Sequence, residues 1–267
     1  MAEPHLRKNV SVGDRDVALS NEVLRTVCGS GVHGMAIEGT DDHDEMGVYV
    51  ETREQLLGLA PSAEHYISRT QPEGVRSGPG DTDLVLYSLR KYMRLAVEGN
   101  PTVITPLFAP ASAVLVEKPI GKTLRSLGPH IVSKRAAHRF LGYLDGQRER
   151  MLGGGRQSRV PNRPELIEAH GYDTKYASHA LRLGLQGIEL VREGRLFLPL
   201  RGEALAACME VKRGEVDFAE AVARVDDVRA HLAAAIESDR SLLPDRPDMD
   251  FINGVMISAH LTHWRTS

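Results

Sequence analysis

In the first half of the chain, apolar residues come in short runs bounded by small and acidic residues, a pattern that predicts strands. Val23, Leu24 and Val27 make one such element; a small-residue loop follows, and then the apolar stretch Gly47-Val48-Tyr49-Val50. The order is strand, Gly-rich turn, acidic turn, strand. Tyr66 and Ile67 mark another short strand, after which Gln71 to Gly80 carries Pro72, Gly74, Gly78, Pro79 and Gly80 and reads as a loop. From Asp83 the run DLVLYSLRKYMRLAVEGNP places Leu86, Leu89, Tyr92, Met93 and Leu95 to Ala96 at helical spacing before a Gly-Asn-Pro stop. This predicts a strand end at Asp83 and a helix from about Ser88, with Tyr87, Tyr92 and Met93 serving the core.

The second half changes character. Helical patterns dominate at about 130–150, 164–193, 203–213 and 217–238, the last of them an Ala-rich stretch with alternating charge that predicts a helix packed on one face. Gly153-Gly154-Gly155 with Pro161 and Pro164 separates the first two of these helices and predicts a mobile loop. The fold class expected is α+β: a small mixed β-sheet domain with flanking helices over residues 1–125, then an α-helical domain over 126–267. The terminal run Gly254 to Ile257 with His260, His263 and Trp264 is expected to be a packing helix, a lid or stacking role being the alternative.

Composition narrows the class. With 42% hydrophobic residues the chain can bury a core, and 33 basic against 36 acidic residues exclude a globally cationic nucleic-acid coat protein. Cys28 and Cys208 are the two cysteines, too far apart in sequence to suggest a disulfide framework or zinc cluster. No apolar run long enough for a membrane span and no signal-peptide core is found, so a cytoplasmic protein without a membrane partner is expected.

Chemistry concentrates in Gly29-Ser30-Gly31-Val32-His33-Gly34 and in Thr40-Asp41-Asp42-His43-Asp44-Glu45-Met46-Gly47. A Gly-Ser turn after a strand lets backbone N–H groups and a hydroxyl approach phosphate oxygens. Two carboxylates spaced D-x-D on an extended segment point to one side and can share hard divalent cations. Either signal alone is commonplace, since acidic clusters are usually solvated loops. Together they are what phosphoryl transfer requires, because its transition state gains most from metal ions and positioning.

At these residues the chain resembles the DNA polymerase beta nucleotidyltransferase superfamily, whose pattern is Gly-Ser, a spacer, Asp-x-Asp and a third carboxylate on a later strand. More narrowly it is similar to the bacterial and phage branch of predicted nucleotidyltransferases sometimes found beside RNA ligases. That likeness rests on GSGVHG, DDHDEMGV, DLVLYSLRKYMRLAVEGNP and GYDTKYASHALRL at 171–183. The resemblance implies that Gly29 and Ser30 bind the triphosphate and that Asp42 and Asp44 hold Mg²⁺ or Mn²⁺. Asp83 is chosen as third metal ligand and general base, with Asp81 as the competing choice; an acidic residue favoured by a helix N-terminus is the structural alternative for both. Asp41 is an extra carboxylate that would have to turn away from an extended D-x-D.

His33 could donate to a phosphate oxygen or make a structural hydrogen bond. Lys175, His179 and Arg182 fall at i, i+4 and i+7 of one predicted helix. The resemblance implies that this stripe meets the nucleotide's phosphates; a solvated helix face is the alternative. Asp173 is expected to cap that helix. Arg69 and Arg76 flank the Gly-Pro loop and could close over substrate. Arg148, Arg150, Arg156, Arg159 and Arg163 form the one obvious basic stretch, either an RNA contact or a solvated connector. The activity implied is transfer of a nucleoside monophosphate from a nucleoside triphosphate to an acceptor hydroxyl on RNA, protein or a small molecule. A catalytically silent nucleotide-binding module and a metal-dependent phosphohydrolase are the competing classes.

Overall fold

The computed structural model describes residues 9–59, 62–72, 74–154 and 163–266. Among the described residues six strands, β1 (Asn9–Val12), β2 (Glu22–Val27), β3 (His43–Tyr49), β4 (His65–Pro72), β5 (Thr82–Ser88) and β6 (Val114–Glu117), form one sheet in the order β1-β4-β5-β3-β2-β6. Only β3 and β5 run parallel; the other neighbours are antiparallel. The helices are α1 (Arg15–Ser20), α2 (Gly29–Val32), α3 (Arg53–Leu57), α4 (Leu89–Val97), α5 (Thr105–Phe108), α6 (Pro119–Ser126), α7 (Gly128–Ile131), α8 (Lys134–Met151), α9 (Pro164–His170), α10 (Thr174–Glu193), α11 (Gly202–Arg213), α12 (Phe218–Ile236) and α13 (Met249–Thr266). Among the described residues no helix is long and apolar enough to cross a membrane. The α+β class expected from the sequence is what the chain adopts.

The chain divides into two units, one of Met1–Ala96, Thr105–Gly128 and Asp248–Ser267, the other of Val97–Ile104 and Pro129–Pro247. In the first unit the sheet buries Tyr49, Tyr66, Leu84 and Leu86 together with Ala18 of α1. At Gly47 a Cβ would collide with the Leu24 carbonyl oxygen and lie 2.7 Å from Leu86 Cδ2, so the middle of β3 accepts no side chain. Helix α13 belongs to this unit. It buries Ile252, Ala259 and His260, and its Trp264 indole donates to the Glu51 carbonyl at 2.8 Å. His260 Nε2 meets Glu51 Oε2 at 3.1 Å while its Nδ1 meets the Met256 carbonyl at 2.8 Å, and Arg53 donates to the Trp264 carbonyl at 3.0 Å. The terminal run is therefore a packing helix.

The second unit is helical, and α10 is its axis, packed on α8, α11 and α12. Two glycines allow the close approach: a Cβ at Gly184 would lie 2.7 Å from Val228 Cγ1, and one at Gly187 the same distance from Leu232 Cδ2. Asp173 caps α10 by accepting from the Lys175 and Tyr176 amides, both at 3.1 Å, as expected. The helical pattern over 164–193 is in fact two helices, because Gly171, at φ 80°, ends α9 in the left-handed region that favours glycine. Of the predicted mobile loop, residues 155–162 lie outside the described residues.

Two expectations need correction, and two strands were not anticipated. Strand β5 begins at Thr82 and runs to Ser88, so Asp83 stands near the start of a strand and not at the end of one just before a helix. The buried alternation of Leu84, Leu86 and Ser88 overlaps the helical spacing of α4 and masks the strand. The stretch 71–80 is not all loop, since β4 continues through Pro72. Strands β1 and β6 are edge strands of four residues each, too short to carry a readable period.

Candidate metal and nucleotide site

Parallel pairing of β3 and β5 puts Asp44 directly opposite Asp83. Paired residues on neighbouring strands point to the same face, so the two carboxylates stand side by side. Asp42, two residues before Asp44, comes to the same place: each of Asp42, Asp44 and Asp83 offers a carboxylate oxygen, and these atoms lie within 4.8 Å of one another. All three residues are half-buried. Three carboxylates this close repel one another unless a cation lies among them. Asp83 Oδ2 accepts a hydrogen bond from Ser77 Oγ at 2.9 Å and lies 3.8 Å from Arg69 Nε, whereas Oδ1 is buried and has no hydrogen-bond partner among the described residues. A buried carboxylate oxygen left unsatisfied is costly, and an oxygen-ligated divalent ion such as Mg²⁺ or Mn²⁺ would satisfy it. The residues present thus fit such an ion.

The Gly-Ser segment abuts this cluster. Leaving β2, the chain donates the Cys28 amide to the Asp44 carbonyl at 2.9 Å and turns at Gly29, whose φ is 58°. A Cβ at Gly29 would collide with Asp44 Oδ2 and lie 2.9 Å from its Cγ. Only glycine fits between the turn and the carboxylate. The segment expected to be a loop is a single helical turn, α2, closed by the Met35 amide donating to the Ser30 carbonyl at 2.9 Å. Ser30 is half-buried and His33 is buried at the C-cap of this turn. Burial pushes the Cys28 thiol up, and the charges of Asp44 and Glu45 push the same way, so it remains protonated.

The competing carboxylates have other employment. Asp41 Oδ2 accepts the Ile37 amide at 2.7 Å and closes the loop before β3. Asp81 Oδ1 accepts from Thr70 Oγ1 and Oδ2 from the Gly78 amide, both at 3.0 Å, fastening the loop between β4 and β5. Asp83 lies six positions ahead of α4, too far to act as a helix N-terminal acid. Glu45 alternates to the opposite face from Asp44, where Arg25 bridges it at 3.0 Å and Glu22 at 2.7 Å. Glu22, then Glu45, hold the Arg25 guanidinium still more firmly protonated.

In the second unit Lys175, His179 and Arg182 share one half-buried face of α10 and are not a freely solvated stripe. Arg182 Nη1 donates to Gln186 Oε1 at 2.8 Å. Burial, then the charges of Arg182, Lys175, Arg163 and Lys212, hold His179 well below the usual histidine range, so it is neutral at physiological pH. The basic stretch is largely engaged: Arg148 pairs with Asp226, Arg163 pairs with Asp173 at 3.1 Å, and Arg150 and Arg163 lie 5.9 and 5.0 Å from the Tyr176 ring centroid. Arg156 and Arg159 lie outside the described residues. Sequence reasoning missed Ser77 and Gln71, which stand behind Asp83; a serine in a Gly-Pro loop carries no periodic signal that would single it out. It also missed the pairing of Glu51 with His260, 209 positions apart.

Neither a curated protein nor a solved structure matches the chain. Over residues 14–257, which include every site residue named above, it matches a family of DNA polymerase beta type. The sheet with its three clustered aspartates and glycine turn is accordingly that of a nucleotidyltransferase superfamily fold, and the chain belongs to the RNA repair pathway DNA polymerase beta family.

Proposed function

We propose that the protein transfers a nucleoside monophosphate from a nucleoside triphosphate to the 3′ hydroxyl of RNA and releases pyrophosphate. The observation that carries this reading is the convergence of Asp42, Asp44 and Asp83 beside the Gly29 turn. Family membership supports the reaction class, and the words RNA repair in the family's description favour RNA as acceptor.

Asp42, Asp44 and Asp83 would hold Mg²⁺ or Mn²⁺, which when bound supplies Lewis-acid stabilisation of charge on the transferring phosphoryl group. The turn at Gly29 and Ser30 presents backbone N–H groups and a hydroxyl to the triphosphate, and His33 lies at its end. As the acceptor oxygen bonds to the α-phosphorus, the bond from that phosphorus to the bridging oxygen breaks and pyrophosphate leaves. The acceptor's proton passes to Asp83, the general base.

The test is incubation of wild type and the Asp42→Ala/Asp44→Ala double variant with each labelled nucleoside triphosphate, Mn²⁺ or Mg²⁺, and RNA, protein or small-molecule acceptors. Label on RNA with wild type alone supports the reading. Label on protein alone corrects the acceptor. Binding without transfer under every condition, or release of inorganic phosphate in place of pyrophosphate, overturns it.

A further inference from the structure

The geometry points to Ser77 and Gln71 as a two-residue relay that positions Asp83, so that Oδ1 and not Oδ2 is its metal-binding atom. This rests on the metal site proposed above. Three observations carry it. Ser77 Oγ donates to Asp83 Oδ2 at 2.9 Å, Gln71 Nε2 donates to Ser77 Oγ at 2.6 Å, and Asp83 Oδ1 is buried with no hydrogen-bond partner among the described residues.

The polarity of the chain follows from the inventory of protons. Serine has one hydroxyl hydrogen, and an ionised carboxylate can only accept. The Ser77 hydrogen therefore points at Asp83, its lone pair faces the side chain of Gln71, and Gln71 must present its NH₂ end to it. Gln71 is 4% exposed, and its Nε2 end faces Ser77 Oγ as that polarity requires. A carboxylate free to rotate about its Cβ–Cγ bond would exchange its two oxygens; one fixed by a donor on Oδ2 leaves Oδ1 as the oxygen open to a cation. Arg69 Nε, at 3.8 Å from the same Oδ2 and 47% exposed, adds charge on that side but no hydrogen bond.

The loop that carries Ser77 is fastened independently of the relay. Asp81 accepts from the Gly78 amide and from Thr70 Oγ1, Thr70 Oγ1 in turn accepts the Thr82 amide at 2.8 Å, and the Val75 amide donates to the Pro72 carbonyl at 3.0 Å. Ser77 is thus brought to Asp83 by the loop's own bonds, as expected of an element built to orient a ligand. Groups that orient metal ligands from behind typically change metal affinity 10- to 100-fold when removed.

The experiment is a titration of the whole protein with Mn²⁺, followed by the electron paramagnetic resonance signal of the free ion. It compares wild type with Ser77→Ala, Ser77→Thr, Gln71→Leu and Asp83→Asn, alongside thermal unfolding of each metal-free protein. Ser77→Ala is expected to weaken Mn²⁺ binding about 10-fold, with a lower unfolding midpoint because Gln71 Nε2 and Asp83 Oδ2 both lose their partner. Ser77→Thr, which keeps the hydroxyl, should recover most of the loss, and Gln71→Leu should show a smaller loss. In transfer assays the Mn²⁺ activation curve of Ser77→Ala should move to higher concentration with kcat at saturating metal preserved. Wild-type Mn²⁺ affinity in Ser77→Ala, with binding lost in Asp83→Asn, overturns the relay and leaves the metal site standing. Wild-type affinity in Asp83→Asn overturns the metal site and the relay with it. A loss in Ser77→Ala that threonine does not reverse also overturns the relay.

Discussion

Gly29 and Asp44 occupy space that neither could share with a larger neighbour: a Cβ on the first would fall on the Oδ2 of the second. The left-handed φ of 58° at Gly29 adds a second reason for glycine, since other residues pay roughly 1–2 kcal/mol there. Gly29→Ala should therefore displace the Asp44 carboxylate and cut Mn²⁺ affinity and transfer by at least about 10-fold. The accompanying stability loss should stay near about 2 kcal/mol, measurable by urea unfolding. Full activity in Gly29→Ala would mean that the turn and the carboxylate do not act together.

The three clustered carboxylates and the two loop carboxylates should separate cleanly by substitution. Asp83→Asn removes one of three neighbouring negative charges, so the metal-free protein should unfold at a higher temperature while losing Mn²⁺ binding and transfer. Asp81→Ala loses two hydrogen bonds that fasten its loop, with an expected cost of about 1–2 kcal/mol and only an indirect effect on turnover. Differential scanning calorimetry with and without Mn²⁺ reads both effects. A destabilised Asp83→Asn would show that the carboxylates do not repel one another.

Two histidines should respond to pH in opposite senses. Burial alone would lower His260, but the hydrogen bond to Glu51, the Met256 carbonyl and the Glu51 charge outweigh it, and its pKa is raised from 6.5. Burial likewise opposes the ionised Glu51, yet the hydrogen bonds from His260, Ser88 and the Arg90 amide bring it below 4.5. The raised histidine contributes stability in full below 6.5 and loses it as pH rises through its folded value. The lowered glutamate contributes above 4.5 and loses it as pH falls through its folded value. The pair therefore stabilises most between about pH 4.5 and 6.5. His179 is depressed, so its contribution falls as pH drops below 6.5, where the unfolded chain gains a proton that the folded one refuses. Side-chain NMR titration should show His260 titrating above 6.5 and His179 still neutral well below it. His260→Gln should abolish the added stability of the acidic window.

Packing in the helical unit predicts a different kind of sensitivity. Gly187→Ala drives a methyl into Leu232 and the Phe140 Cβ, 2.7 and 3.2 Å from the new atom, and Gly184→Ala drives one into Val228 and Leu144. Each should destabilise by about 1–3 kcal/mol despite alanine's better helix propensity. Chemical denaturation measures the loss, and a stabilised Gly187→Ala would show that α10 can move away from α12 without cost.

The Gly-Ser turn and the D-x-D pair were legible as motifs because each depends on local spacing, and the fold class because the two halves differ in period; Asp83 was preferred to Asp81 from a placement at a strand end that the structure corrects. What could not be read depends on pairing across the chain. Asp83 beside Asp44 is a matter of register between β3 and β5, and Ser77 reaches Asp83 only through a loop geometry set by Asp81. The placement of α13 with the sheet depends on Glu51 meeting His260 and Trp264, residues more than 200 positions away. Such contacts leave no trace in a periodic pattern. Overlap of strand and helix spacing across 82–97 hid the start of β5 for the same reason that makes short apolar runs ambiguous.

Because side chains alternate along a strand, sliding β5 by one residue against β3 would send Asp83 to the far side of the sheet and bring Thr82 or Leu84 to Asp44 in its place. Length changes in the chain between β4 and β5 are thus unequal in consequence. Residues added near Gly74, where a side chain would meet open space, lengthen an exposed bend and leave the β3–β5 register in place, whereas one added between Thr82 and Asp83 would dismantle the trio of acids at a stroke. Variation among relatives of this protein should accordingly gather at the bend and stop short of the strand.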